Sequence, residues 1–139
     1  MISGLKFVTV PTRDYDAALE FWVEKFGFTP LADRPVPEGR WIELAIPGYP
    51  TKLVLFASDE QKDRIGTFFN GAFQCDNVYS AHARLSAKGV RFEGVPHRTP
   101  WANVVRFSDP DGNLFVLLSD PEDDAPEIAW DDRALRHEF

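Results

Sequence analysis

Cysteine is nearly absent from this 139-residue chain. Cys75 stands alone, so no intrachain disulfide can form and stability must come from a buried core. A chain of this length suits one domain and can bury roughly two thirds of its unfolded surface. No apolar run approaches the 18 or so residues of a membrane helix. No basic-then-apolar leader opens the chain either, so neither a membrane span nor a signal peptide is expected, and a cytoplasmic location is. Positive charge is scarce: 15 Lys and Arg stand against 22 Asp and Glu, a net charge of −7. Nucleic-acid surfaces are built from Lys and Arg that neutralise phosphates, so no polynucleotide partner is expected. An acidic balance serves solubility first, and it also favours cationic ligands. There is no nucleophile elbow and no Gly-rich phosphate loop. The three histidines are scattered: His82 in a helical stretch, His97 in a loop and His137 in the tail, a spacing that gives them no shared metal. Cys75 ends a strand-like run with no helix start or base beside it to activate the thiol.

Aromatic residues, in contrast, are plentiful: 12 Phe, 4 Trp and 3 Tyr. Most belong to a core, and an excess of them in a small domain also suits a ligand cavity. Along the chain, LKFVTVP (5–11) alternates like a strand. Asp14 then offers an N-cap oxygen to a helix in which Ala18, Phe21, Trp22 and Phe26 recur at helical spacing, and Gly27 stops it. Strand-like runs follow at 28–35, 40–47 and 52–58, the last two separated by the turn Pro47-Gly48-Tyr49-Pro50. The second half repeats this order. A strand covers 67–75, Asn77 caps a helix that Gly89 ends, and strands follow at 90–96, 101–109 and 114–120. Asp109-Pro110-Asp111-Gly112 is a turn with Gly where a positive φ is needed. A shift of 62 residues lays Gly27 on Gly89 and Val54 on Val116. One additional residue in the first helix region raises the shift to 63 upstream, where Phe7 falls on Asn70.

The repeat predicts an α+β fold of two βαβββ modules. They form a curved eight-stranded mixed sheet around a cup, with the helices outside. The expected boundaries are a single domain over 1–120, with module one at about 3–60 and module two at about 66–120, followed by a tail, 121–139. The last strand supports two covered faces. Leu114, Phe115, Val116, Leu117 and Leu118 run without a polar side chain, whereas a strand with one wet face alternates. Phe115 and Leu117 are assigned to the helix layer, and Leu114, Val116 and Leu118 to the cup.

In the order and content of these elements the chain resembles the vicinal oxygen chelate superfamily, the glyoxalase/bleomycin-resistance/dioxygenase group. The matching stretches are FVTVPTRDYDAALEFWVEKFGF, RWIELAIPG, FQCDNVYSAHARLSAKGVRF and RFSDPDGNLFVLLSD, which together span about residues 3–120. The resemblance implies, for members that are enzymes, one divalent metal held by His and Glu side chains from the first and last strands of each module. Matched position by position, those sites fall on Phe7, Val54, Asn70 and Val116. Only Asn70 could donate an oxygen, and a metal needs carboxylate or imidazole donors to offset its lost hydration. A register error of one does not help, because Lys6, Leu53, Leu55, Phe115 and Leu117 are no better. No metal and no cofactor are therefore expected.

An apolar cup with a few polar groups remains. Strand alternation places Phe7, Thr9, Val54, Phe56, Asn70, Ala72, Leu114, Val116 and Leu118 on its floor, positions that ordinary packing would also explain. Trp41 and Trp101, at the starts of corresponding strands, are candidates for stacking on a flat ligand at the mouth. Glu43 shares a face with Trp41 and is the one weak catalytic candidate, or a partner for a ligand cation. Asn103 and Arg98 are rim candidates. In the tail, Ile128, Ala129, Trp130 and Leu135 could form a short helical face that docks on the cup or on a second subunit. The expected function is that of a metal-free small-molecule binding protein of the bleomycin-resistance type. It would sequester an apolar or aromatic compound, a cationic one included, as a cytoplasmic homodimer. The alternatives are a metal-dependent lyase, isomerase or dioxygenase of the same superfamily, metal-free catalysis through Glu43, and an interaction protein whose cup is filled by its own side chains.

Overall fold

The computed structural model describes residues 1–57, 63–67 and 71–121. These fall into two compact units: residues 1–57, 63–67 and 110–112 in the first, 71–109 and 113–121 in the second. The candidate ligand residue Asn70 and the tail residues 122–139, Trp130 included, lie outside the described residues.

In the first unit, strand β1 (Phe7–Pro11) leads to a helix that starts in the α form, α1 (Tyr15–Leu19), and continues as a π-helical stretch, Glu20–Lys25. Asp14 caps it by accepting a hydrogen bond from the Ala17 amide. Strands β2 (Thr29–Val36), β3 (Gly39–Ala45) and β4 (Lys52–Phe56) follow, and the sheet order is β1-β4-β3-β2, with β1 parallel to β4 and the other neighbours antiparallel. The second unit has the same plan. Strand β5 (Ala72–Gln74), helix α2 (Val78–Ala87) and strands β6 (Arg91–Arg98), β7 (Asn103–Ser108) and β8 (Leu114–Ser119) give the order β5-β8-β7-β6, with β5 parallel to β8. The eight strands thus form two four-stranded mixed sheets, and the repeated βαβββ order that the sequence predicts is present.

The two helices end alike and are built differently. Gly27 and Gly89 both stand just past a helix with positive φ, 78° and 92°, where a side chain would be strained. After the π-helical stretch the Phe28 amide reaches back six residues to the Trp22 carbonyl, whereas the Val90 amide reaches back five, to Leu85. A π-helical turn is what one surplus residue produces inside a helix. The change of the repeat shift from 63 to 62 is that surplus, read in the sequence. The wider turn buries both Phe21 and Trp22, and the Trp22 ring lies about 5 Å from those of Phe21 and Phe26 and stacks on Phe28.

Each sheet has one face packed beneath its helix. In the first unit Val10, Ile42, Leu44, Leu53 and Leu55 share that face and are buried with Trp22. In the second, Phe73, Phe107 and Phe115 form a ring cluster extended by Phe92, whose ring meets His82 of α2 at 4.6 Å. Phe115 and Leu117 are both buried on this side, as the last strand's pattern suggests. Ser119 accepts a hydrogen bond from the Val78 amide and anchors the start of α2.

The β7–β8 turn is closed by its own side chains. Asp109 accepts from the Asn113 amide nitrogen and from its side chain, at 2.8 and 2.9 Å, and Gly112 has φ 86°. Asp111, a member of the first unit, accepts from the buried Thr12 hydroxyl at 2.6 Å and from the Arg13 amide at 2.9 Å, while Arg13 also donates to the Ile65 carbonyl. These bonds fix the junction between β1 and α1, and so the position of Phe7 and Thr9 upstream of it.

Candidate functional site

The face of the first sheet turned away from the helix is where the sequence-predicted ligand residues gather. Side chains on a strand alternate, and paired residues share a face. The register therefore puts Phe7 and Thr9 of β1, Val54 and Phe56 of β4, and Trp41 and Glu43 of β3 together on one side. Thr9 pairs with Val54, and Val54 pairs with Glu43, so these three form a row across the middle of the sheet. Val54 is fully buried. Phe7 is exposed, and Thr9, Trp41, Glu43 and Phe56 are half-buried. The Trp41 ring lies 5.5 Å from both Phe7 and Phe56, edge-on to each. Such edge-to-face contacts hold rings in place beyond what area burial alone supplies. The Trp41 indole Nε1 donates to Glu43 Oε2 at 3.4 Å, which orients the carboxylate toward the rings. The result is a half-buried aromatic surface with one carboxylate in it.

The second unit carries the remaining candidates. Val116 lies on the face of β8 away from α2, where Ala102, Val104 and Val116 form a buried aliphatic cluster with Leu118 beside it. Trp101 stands in the turn before β7, half exposed, held by a Thr99–Ala102 hydrogen-bond pair. Asn103 sits on the opposite, helix-covered face. It is fully buried, its side chain donates to the Asp120 carbonyl at 3.0 Å, and it accepts from the Tyr79 hydroxyl at 3.5 Å. Arg98 pairs with Asn103 on that face. Burial there pushes the Tyr79 phenol up from its ordinary value, with the Arg98 guanidinium acting in the opposite sense. Alternation in NVVRFS puts Val104 and Arg106 on the face opposite Asn103, a signal that the sequence-based expectation for Asn103 did not use. What it could not show is which side the helix covers, since Val104 and Val105 are equally apolar.

The side chains at the superfamily's metal positions do not fit a divalent ion. Phe7, Val54 and Val116 carry no donor atom in their side chains, and Val116 is packed among aliphatic neighbours. Among the described residues no three His, Cys, Asp or Glu side chains come together. Glu43 is a single carboxylate, and one such ligand does not hold a metal in water.

Two topologically identical βαβββ units define the paired-module class of the vicinal oxygen chelate fold. The sequence model of the "Glyoxalase/Bleomycin resistance protein/Dioxygenase superfamily" matches residues 4–117. The chain belongs to that superfamily. It is 35% identical over 118 residues to YetH, an uncharacterised protein of Bacillus subtilis (strain 168), covering 84% of this chain and 98% of YetH. The solved structure of TnmS3, an antibiotic binding protein from Streptomyces sp. CB03234, matches with a TM-score of 0.78 and 38% identity, covering 86% of this chain and 97% of TnmS3. A glyoxalase/bleomycin resistance protein from the same Streptomyces strain matches with a TM-score of 0.71 and 37% identity, covering 83% of this chain and 99% of the other. No helix among the described residues is long and apolar enough to cross a membrane.

Proposed function

We propose that this protein binds a small aromatic or apolar compound, without a metal and without turning it over, and so sequesters it in the manner of an antibiotic-binding protein. The observation that carries this reading is the open face of the first sheet, where Phe7, Trp41 and Phe56 surround Val54 beside Glu43. A flat ligand gains stacking and apolar burial on such a surface, while a few polar groups set its orientation. Similarity to TnmS3 supports the same reading. Phe7, Thr9, Trp41, Glu43, Val54 and Phe56 are the contacts proposed in the first unit, with Trp101 and Val116 as contacts in the second. Asn70 keeps its place in this proposal from the sequence repeat alone. Asn103 is proposed to support the sheet rather than to touch ligand, since its amide is engaged by Asp120 and Tyr79. A cytoplasmic homodimer is the proposed working state.

A second reading, that the aromatic side chains fill their own face and present it to a protein partner, draws on the ring contacts Phe7–Trp41 and Trp41–Phe56. A thermal-shift screen with planar aromatic antibiotics and dyes separates the two. A ligand at 100 times its dissociation constant adds about 2.7 kcal/mol to a folded state that alone binds it. For a domain of this size that raises Tm by roughly 6–14 °C. The shift should shrink in Trp41→Ala. A broad set of such compounds with no shift contradicts the binding reading and favours the protein partner.

A further inference from the structure

We propose that the open face of the first sheet selects organic cations over neutral aromatics, with Glu43 as the counter-ion. This deepens the ligand-binding reading of that face and rests on it. Glu43 sits mid-strand between Ala32 and Val54, half-buried, and among the described residues accepts one side-chain hydrogen bond, from the neutral Trp41 indole. No ion pair joins it to any described residue. Two cationic side chains share its face. Arg34 pairs with Trp41 and is exposed, and Lys52 pairs with Phe7 and is half-buried. Neither is engaged with Glu43.

The corresponding position of the second sheet shows the usual solution. There Arg106 pairs with Val116 as Glu43 pairs with Val54, and Arg106 has its own counter-ion, Glu93, at 3.5 Å. A carboxylate that has lost part of its hydration without gaining a cation is costly. A ligand cation placed over the Trp41 and Phe7 rings would restore that partner and gain attraction to the π-faces at once. The Trp41 N–H holds the carboxylate in position beforehand, so little ordering remains to be done on binding. An anionic ligand would meet the carboxylate without compensation, and a neutral ring system would gain the stacking alone.

The test uses two fluorescent probes of similar shape: proflavine, a planar three-ring cation, and acridone, a planar three-ring neutral molecule. Each is titrated into the full chain and into Glu43→Gln and Glu43→Asp. The wild-type protein should favour proflavine by about tenfold, the scale of one desolvated cation–π or charge-assisted contact. Glu43→Gln should weaken proflavine about tenfold and change acridone by less than about twofold, while Glu43→Asp keeps most of the preference. In the wild type, added salt should weaken proflavine and leave acridone alone, a readout that needs no variant to fold. Equal binding of the two dyes by the wild type, or an undiminished preference in Glu43→Gln, overturns charge selection and leaves the ligand face standing. Failure of both dyes to bind overturns the ligand face and charge selection together.

Discussion

The two units share an element order, a strand order and a pairing register, yet their open faces are chemically different. Where the first sheet has Trp41, Glu43, Val54 and Phe56, the register of the second places Val104, Arg106, Val116 and Leu118. Rings are replaced by aliphatic side chains, and a carboxylate with no ion pair to any described residue is replaced by an arginine paired with Glu93. The helices differ in the same direction. The first inserts Phe21 and Trp22 into its core through a π-helical turn, while the second contributes Val78 and the half-buried Leu85 from a regular α-helix. Fold alone does not assign function. On the function proposed for this protein, most of the ligand contacts belong to the first unit, and Trp101 and Val116 belong to the second.

The largest expected contrast lies beneath the helices. Trp22→Ala removes a fully buried indole that contacts three other rings and should cost ~3–5 kcal/mol by denaturant unfolding. Leu85→Ala, near the equivalent place on the half-buried side of α2, should cost about 1–2 kcal/mol. Equal losses would show that the π-helical turn gives the first unit no deeper core.

A smaller contrast concerns the superfamily's metal positions. Val116→Glu puts a carboxylate into the cluster of Ala102, Val104 and Leu118 and should cost at least ~2 kcal/mol, because its surroundings are aliphatic and the cation opposite it, Arg106, is already paired with Glu93. Adding zinc or manganese should not recover that loss, since among the described residues no three His, Cys, Asp or Glu side chains come together to hold an ion. Metal-dependent recovery of the wild-type midpoint would show that the surrounding donors had been misjudged.

The smallest expected effect separates the two hairpins by pH. Arg40, at the start of β3, donates to Asp33 and lies 3.5 Å from Asp16, and its guanidinium sits over the Tyr15 ring. The Arg40 hydrogen bond holds the Asp33 carboxyl below its ordinary value, and Asp33 in turn raises Arg40. A carboxylate lowered in the folded state contributes stability above its unfolded pKa and loses it as pH falls through the folded one. The wild type should thus be slightly more stable than Asp33→Asn at neutral pH, and the two should converge in strong acid. By the 62-residue shift Asp33 and Arg40 fall on Val95 and Ala102, which carry no charge, so this particular pair has no counterpart in the second unit. A constant difference between wild type and variant across that range would contradict the assignment.

Most of this architecture was legible in the chain. Asp14 and Asn77 announce the helix starts because their short oxygens reach the first free amides, and Gly27 and Gly89 mark the ends because other residues resist positive φ. The single surplus residue between Asp14 and Gly27 already encoded the π-helical stretch. Strand alternation also sorted the faces of the first sheet, because one is aromatic and polar and the other has an aliphatic centre of Val10, Ile42, Leu44, Leu53 and Leu55. It did not reveal that Asn103 lies under the helix, since β7 is apolar on both sides and its face is decided by Tyr79 and Asp120 far along the chain. Nor could spacing show that the Phe7 and Trp41 rings meet, because they come from opposite ends of non-adjacent strands and touch only through the sheet's three-dimensional course.

The central claim is that a ligand engages the aromatic face of the first sheet, and the indole N–H resonances of the chain's four tryptophans test it directly. Trp41 Nε1 reports from inside that face, through its hydrogen bond to Glu43. Trp22 is buried under the helix and should stay still. During titration with any compound that raises Tm, the account requires the Trp41 indole signal to shift in a saturable way while Trp22 holds its place. A bound compound that leaves Trp41 unmoved would contradict it.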